Sequence, residues 1–228
     1  DKIHARHGYT WRHPVHEVIT PLAEETQGWV SLEIHHHPDS TKSRAQYLPL
    51  LAQSVAEDPD DDRNAYYYAR ELHFAGQPQE AFEEFHRYLK LPTATWDAER
   101  SKAMRYLAQL DTANAEKWLL KATAEAPHRR EPWVDLARHY HDTSQWRLCL
   151  AAAERALAIT DQPLEYLCEP DAWGSAPFDF AALAAYRLGD GRLATAYGTE
   201  AAALDPHSRR LADNLAHYQQ HEGARHAH

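Results

Sequence analysis

Three consecutive histidines, His35, His36 and His37, are candidate metal ligands, because imidazole is a common ligand in proteins. In an extended strand, His35 and His37 would share one face and His36 would lie on the other. All three therefore cannot bind the same ion. The alternative is a polar strand end that contains histidines and binds no metal, and the residues alone favour this alternative.

A second group with chemical potential is the dipeptide His16-Glu17. Histidine and carboxylate side chains are common general bases. Neighbours on a strand point to opposite faces, so at most one of the two would face a reacting group. The following residues, Val-Ile-Thr, do not supply the second histidine of an HExxH metal site. A metallohydrolase is therefore the weakest of the hypotheses.

Composition excludes several classes of protein. The 228 residues include 24 Lys+Arg and 34 Asp+Glu, and the net charge is −10. This balance argues against a dedicated nucleic-acid binder, which would carry a basic surface. No apolar run approaches the ~18 residues of a membrane span, and the first twenty residues do not form a signal peptide. Cys149 and Cys168 are too few for a disulfide framework. We therefore expect a cytoplasmic protein with reduced thiols.

The elements that must position these residues follow a repeating pattern. Prolines recur at spacings close to ~34 residues, apart from one longer final step. Between them, apolar residues recur with helical periodicity, and each period is typical of two helices. Asp97 to Leu110 and Ala113 to Ala126 form one such pair. The longer step reflects residues 164–177, which are rich in turn formers. The prolines are Pro59, Pro92, Pro127, Pro163 and Pro206.

Turn residues separate the two helices of several periods. Gly76 and Gly189 follow apolar stripes, as glycine does at a helix C-terminus, and Ser144 occupies the corresponding position in another period. The apolar stripe before Gly76 is formed by Tyr68, Ala69, Leu72 and Ala75. The apolar stripe on the helix after Ser144 begins with Leu148.

These segments resemble tetratricopeptide repeats over roughly residues 64–206. The resemblance predicts a mainly α fold, a solenoid of helical hairpins, with residues 41–57 as a lead-in helix and 208–221 as a capping helix. The tyrosines at 66–68 are then interpreted as repeat core rather than as a carbohydrate-stacking platform. Trp173, in the long insertion, is expected to be exposed.

Residues 1–40 have a different pattern. Short β-prone runs, Val15 to Thr20 and Trp29 to His35, lie between turn formers and predict two strands. Two strands are not stable alone in water. They must pack against the repeats or belong to a sheet whose other strands lie outside this chain.

The string YTWRHPVHEV, residues 9–18, resembles the end of a family 2 (GT-A type) glycosyltransferase catalytic domain. In that family an aromatic residue and a tryptophan precede a PVHE element. A hydrophobic-His element follows, matched here by IHHH at 34–37, and then a helix, matched by residues 41–44. Some bacterial and phage-type members continue into tetratricopeptide repeats. The resemblance implies three regions: a catalytic-domain remnant at 1–40, a repeat domain at 41–221 and a flexible tail at 222–228.

The resemblance also implies roles for individual residues. His16 and Glu17 would lie near the acceptor and the donor phosphates, with His16 favoured as the reacting group and Glu17 supporting the local structure. His35 or His36 would be a third ligand to a divalent metal, Mn or Mg. Trp11 would contribute to substrate binding.

The donor, a nucleotide sugar, and the metal need an Asp-x-Asp motif that this chain does not supply. Asp60-Asp61-Asp62 has the right letters, but it falls in a turn between two helices, where acidic residues are usually solvated linkers. The sequence also lacks a Gly-rich phosphate loop. The resemblance therefore implies that this chain is the C-terminal part of a longer enzyme and is not catalytically competent alone.

Two functional hypotheses remain. In the first, the chain is the C-terminal region of a glycosyltransferase, and the repeats bind a glycan or protein acceptor or another partner. In the alternative, it is a stand-alone interaction scaffold without catalysis, whose concave repeat surface binds a peptide or protein. Basic residues on the inner helices would then suit acidic C-termini. The candidates are Arg70, Lys102, Arg105, Arg138 and Arg187.

Overall fold

The computed structural model describes residues 4–15, 17–26, 28, 30–31, 35, 37 and 47–225, with side chains to residue 220. The elements in chain order are β1 (Tyr9–Arg12), β2 (Val18–Pro21), α1 (Tyr47–Glu57), α2 (Asp62–Phe74), α3 (Pro78–Tyr88), α4 (Asp97–Leu110), α5 (Ala115–Glu125), α6 (Arg130–Asp142), α7 (Trp146–Leu157), α8 (Pro170–Trp173), α9 (Ala176–Arg187), α10 (Gly191–Leu204) and α11 (Arg209–Arg225).

The chain forms two compact units. Unit 1 comprises Asp1–Ala94 and unit 2 comprises Thr95–His228. The division falls between two helical hairpins, inside the region expected to form one repeat domain. The assignment of residues 1–40 to a catalytic-domain remnant stays a prediction.

In the described part of unit 1, the β structure is one antiparallel pair, in which Trp11 lies opposite Ile19. The strand predicted over 15–20 is present only from Val18, and it continues to Pro21. Its partner, Tyr9–Arg12, was not predicted as a strand. A strand needs a hydrogen-bonded neighbour, so pairing rather than local β propensity sets these bounds. Of the strand predicted over 29–35, residues 30, 31 and 35 are described, and they lie in no regular element.

The core of unit 1 is aromatic. The Tyr66 ring lies 5.5 Å from the Tyr88 ring and 6.3 Å from the Phe85 ring, centroid to centroid. Tyr66 and Tyr67 are buried, which confirms their interpretation as core residues. Of the stripe predicted on α2, Ala69 and Leu72 are buried, Tyr68 is half-buried and Ala75 is exposed. The prediction is therefore confirmed for two of its four residues.

Helix α2 ends in a Schellman turn that reverses the chain into α3. The Gln77 N–H donates to Leu72 O at 3.0 Å and the Gly76 N–H donates to His73 O at 3.2 Å, which is the pairing expected of this motif. Gly76 has φ 71°, a left-handed conformation that glycine adopts at little cost.

Unit 2 contains three helical hairpins, α4/α5, α6/α7 and α9/α10, followed by α11, which packs on α10. The bounds predicted for α4 are confirmed at both ends. Ala137, Cys149 and Ala184 belong to the buried core, whereas Leu148, predicted to begin an apolar stripe, is 44% exposed. Both cysteines of the chain are free thiols. Helices α4, α6 and α9 are the first helices of their hairpins, and α6 contacts both of the others.

Candidate functional site

Of the residues predicted to bind substrate and to catalyse transfer, Trp11 and Glu17 are described, and they lie on or next to the β1–β2 pair. Trp11 lies on β1 and is 67% exposed. Glu17 is exposed and precedes β2, so the strand geometry assumed for the His16-Glu17 pair does not apply to Glu17. His16 lies outside the described residues. The roles predicted for these residues stay predictions.

The predicted metal ligands show no strand geometry where they are described. His35 and His37 are exposed and belong to no regular element, so the argument from a shared strand face does not hold for them. His36 lies outside the described residues. Within the described part of the chain, no group of three or more His, Cys, Asp or Glu residues is arranged to hold a metal ion.

The acidic run at 60–62 was predicted to be a solvated linker between two helices, and one of its residues caps the second helix. Asp61 is the N-cap of α2, and its carboxylate accepts a hydrogen bond of 2.8 Å from the Asn64 N–H. His13 Nδ1 lies 3.1 Å from Asn64 Nδ2 and 3.5 Å from Asp61 Oδ2. A carboxylate at this position accepts a hydrogen bond from an otherwise unpaired helix N–H. Its negative charge also interacts favourably with the positive N-terminal end of the helix dipole.

The basic residues singled out from the sequence separate into two groups. Lys102, Arg105 and Arg138 bind carboxylates on one side of unit 2. Arg70 belongs to unit 1, where it pairs with the neighbouring Glu71. Arg187 lies over the Trp146 ring at 5.3 Å. Only the first group forms a shared site.

We call this site the first-helix face of unit 2. It is formed by charged residues on α4 and α6 spaced three or four apart, which places them on one side of each helix. On both helices, the acidic residues of this side precede the basic ones along the chain. The residues are Glu99, Lys102 and Arg105 on α4 and Glu131, Asp135 and Arg138 on α6.

Arg105 is the centre of this face. Its side chain is 6% exposed, and all three guanidinium nitrogens donate hydrogen bonds. Nη1 and Nη2 each donate to one carboxylate oxygen of Glu169 at 2.8 Å, and Nε donates to Asp135 Oδ2 at 2.6 Å. Lys102 Nζ adds a contact of 2.7 Å to Glu169 Oε1. A bidentate arginine with an added lysine is a strong carboxylate-binding arrangement.

The pKa values on this face follow from burial and charge. Burial alone would raise the pKa of Glu169, but the hydrogen bonds and charges of Arg105 and Lys102 outweigh it and lower the pKa to about 2. The pKa of Lys102 is lowered by burial and by the neighbouring Arg105 charge. Glu169 is therefore a carboxylate held in its charged form by two cations.

Glu131 anchors the same face from α6 and is 2% exposed. Its Oε1 accepts hydrogen bonds from the Glu169 N–H at 3.1 Å and from Trp173 Nε1 at 3.2 Å. Its Oε2 accepts from Arg129 Nε at 3.2 Å, and Arg129 also pairs with Glu165. A buried carboxylate is tolerated because its lone pairs are satisfied in this way.

Trp173 was expected to be exposed, but it is half-buried. Its indole N–H is bound to Glu131, and the Arg130 guanidinium lies 4.1 Å from the ring centroid. Two further contacts extend the face. Tyr166 donates to Glu99 Oε2 at 2.7 Å, and Arg138 pairs with Asp171 at 2.6 Å.

Sequence reasoning missed the acidic partners of this face. Glu165, Glu169 and Asp171 lie in the turn-rich connection, where acidic residues usually face solvent. Arg105 and Glu169 are 64 residues apart along the chain, so no local sequence pattern indicates that they pair. The three-residue spacing of Glu99, Lys102 and Arg105 is a signal that was available, because it places these charges on one side of α4.

The fold is similar to that of solved tetratricopeptide-type structures. YrrB, described as a TPR protein with an unusual peptide-binding site, is 12% identical with a TM-score of 0.58, over 76% of this chain and 84% of that one. PilF of Pseudomonas aeruginosa is 14% identical with a TM-score of 0.55, over 75% and 72%. MamA is 16% identical with a TM-score of 0.55, over 70% and 86%. The helical hairpins are thus TPR-like, and identities this low show a shared fold alone.

No protein-family model and no curated protein matches the chain. These comparisons therefore add no support to the resemblance to glycosyltransferases. Among the described helices, none combines the length and the apolar composition that crossing a bilayer requires.

Proposed function

We propose that the chain is a protein-interaction scaffold whose first-helix face of unit 2 binds an acidic segment of a partner protein. The observation that carries this proposal is the bidentate hydrogen bonding of Arg105 to the Glu169 carboxylate, whose Oε1 also accepts from Lys102. This arrangement recognises a carboxylate by both charge and geometry. The TPR-like fold supports the proposal, because helical repeats present extended surfaces suited to peptides.

The charge of the whole chain makes this face distinctive. The protein carries a net charge of −10, so a binding site for an acidic partner needs local cations that offset the general repulsion. Lys102, Arg105 and Arg138 provide such cations on two neighbouring helices. YrrB, with its peptide-binding site, is a precedent for peptide binding by this fold in another protein.

A selection from a display library of random twelve-residue peptides on the immobilised chain tests the proposal. We expect the enriched peptides to be acidic, because the cations of the face select carboxylates. We expect the double variant Lys102→Gln/Arg138→Gln to bind them at least fivefold more weakly in fluorescence anisotropy. The matched control is Lys117→Gln, which removes an exposed charge from α5.

Circular dichroism would first establish that each variant keeps its helical content. Equal affinity of the enriched peptides for wild type and for the double variant would place binding elsewhere and refute the proposed site. Failure to enrich any peptide would refute the scaffold function itself.

The glycosyltransferase hypothesis, including a nucleotide-sugar donor, a Mn or Mg ion and a glycan acceptor, stays a prediction from the sequence. This hypothesis must be tested with a longer chain that includes an Asp-x-Asp domain. There, His16→Ala should greatly reduce sugar transfer, and a wild-type rate would exclude the role predicted for His16.

A further inference from the structure

The connection between α7 and α9 is unusually long for unit 2. The connections 126–129 and 205–208 are short, whereas this one spans 158–175 and contains only the short helix α8. Helices α7 and α9 nevertheless pack directly against each other. The length is therefore not needed to join the two hairpins, and we call residues 158–175 the connecting segment.

The connecting segment lies on the first-helix face and uses its polar groups. Two of its acidic side chains bind basic residues of the face, a third binds the arginine that precedes α6, and a tyrosine binds an acidic residue of the face. The pairs are Glu165 with Arg129, Glu169 with Arg105 and Lys102, Asp171 with Arg138, and Tyr166 with Glu99. An acidic peptide would present the same chemical groups, carboxylates, to these cations.

The apolar contribution of the segment is smaller. Leu167 and Ala172 are buried, but Leu164 is fully exposed and Tyr166 is about half exposed. Polar contacts of this kind exchange with water or with another carboxylate at modest net cost. A segment held largely by exchangeable contacts at the proposed binding face has the properties of a bound ligand.

We propose that the connecting segment is an internal ligand of the first-helix face, and that the partner is a protein segment of the same chemistry, acidic and aromatic, which displaces it. This inference rests on the proposed function, because it assigns both the ligand class and the regulation of that site. An internal ligand is present at high effective concentration. The free face is then a minor population, and the apparent affinity for a partner is reduced in proportion.

A synthetic peptide with the sequence of residues 162–174, with Cys168 replaced by serine and a fluorescent label at its N-terminus, is the probe. Its affinity is measured by fluorescence anisotropy for the full wild-type chain and for Glu169→Gln. The substitution weakens the internal carboxylate contact with Arg105 and Lys102 and leaves those cations in place. We expect the peptide to bind Glu169→Gln at least tenfold more tightly than wild type.

Two controls identify the contact responsible. A peptide in which the residue equivalent to Glu169 is glutamine should lose most of the gain. The protein variant Glu200→Gln, which removes an exposed carboxylate from α10, should bind the original peptide as wild type does. Binding of equal strength to wild type and Glu169→Gln would overturn the internal-ligand proposal while leaving a peptide-binding face intact. No binding to either protein would overturn it as well, because the segment would then be a fixed part of the fold.

Hydrogen exchange of the wild-type chain supplies a measurement that does not depend on a variant. Excess peptide should speed amide exchange in residues 160–174 and leave α4 and α6 protected, because the segment leaves a face that stays folded. Unchanged exchange in 160–174 with the peptide bound would contradict displacement. If the peptides enriched in the library selection bind but this result is negative, the proposed function stands and only the internal ligand fails.

Discussion

At the scale of single residues, Glu169 decides how the connecting segment responds to pH. Its carboxylate accepts two hydrogen bonds from Arg105 and one from Lys102. These contacts lower its pKa from 4.5 to about 2 in the folded chain. A lowered folded pKa means that the contribution to stability is complete above pH 4.5 and is lost as the pH falls toward 2.

The prediction is that the difference in unfolding free energy between wild type and Glu169→Gln shrinks as the pH falls from about 4.5 to 2. The reason is that protonation removes from wild type the same charge that the substitution removes. Urea titrations followed by circular dichroism measure this difference at each pH. Asp213→Asn is the matched control, since Asp213 forms an exposed i,i+4 pair with Arg209 on α11. A difference that stays constant for Glu169→Gln across this range would contradict the assignment.

Glu131 has another role at the same scale. It is almost fully buried, and donors from Arg129, Trp173 and the Glu169 backbone satisfy it. Removing the Glu131 carboxylate itself is expected to be costly, because the buried Arg129 charge would lose a partner while it remains desolvated. Glu131 therefore belongs to the framework of the face, whereas Lys102 and Arg138 are the positions at which ligand binding is best tested.

At the scale of elements, three hairpins share one turn design. Gly76, Ser144 and Gly189 all have positive φ, of 71°, 57° and 87°. In each turn the N–H of the following residue donates to the helical carbonyl five positions earlier: Gln77 to Leu72, Gln145 to Tyr140 and Asp190 to Ala185. The α4/α5 hairpin differs, because a short 3-10 helix, Thr112–Asn114, joins its helices. Serine is the exception among the three turns, since a side chain in this conformation is strained.

We therefore predict that Ser144→Gly stabilises the chain by about 0.5–1 kcal/mol, because relief of left-handed strain outweighs the added freedom of the unfolded chain. The opposite change, Gly76→Ala, should destabilise it by about 1 kcal/mol. At Gly76 an added Cβ meets no atom within 4 Å, so this cost is conformational rather than steric. Denaturant unfolding of both variants measures the effects. A loss of stability in Ser144→Gly would show that its hydroxyl or backbone rigidity matters more than strain.

At the scale of the whole molecule, the two compact units have different content. Unit 1 contains the β1–β2 pair and one complete helical hairpin, α2/α3, preceded by α1. Unit 2 contains three hairpins, α11 and the first-helix face with its connecting segment. In repeat proteins, most stabilising contacts join neighbouring helices, so a run of several hairpins has much of its own stability.

We predict that a fragment of residues 95–225 folds without unit 1. It should show helical circular dichroism and a single cooperative urea transition, because three hairpins are enough to build a continuous core. It should also retain the affinity of the full chain for the peptides enriched in the library selection. A fragment that is helical but unfolds without cooperativity would show that unit 2 depends on the rest of the chain.

The sequence by itself determined the helical hairpins, the bounds of α4 and the positions of several turns. These features depend on apolar periodicity, glycine and capping residues that lie within one or two helical turns, as the agreement for α4 and at Gly76 shows. It also determined that Asp61 lies in an interhelical turn. Only the tertiary structure decided that β1 pairs with β2 and that Glu169 binds Arg105 and Lys102. Strand pairing and ion pairing between distant residues depend on where the connections place each segment, and no local pattern records that position.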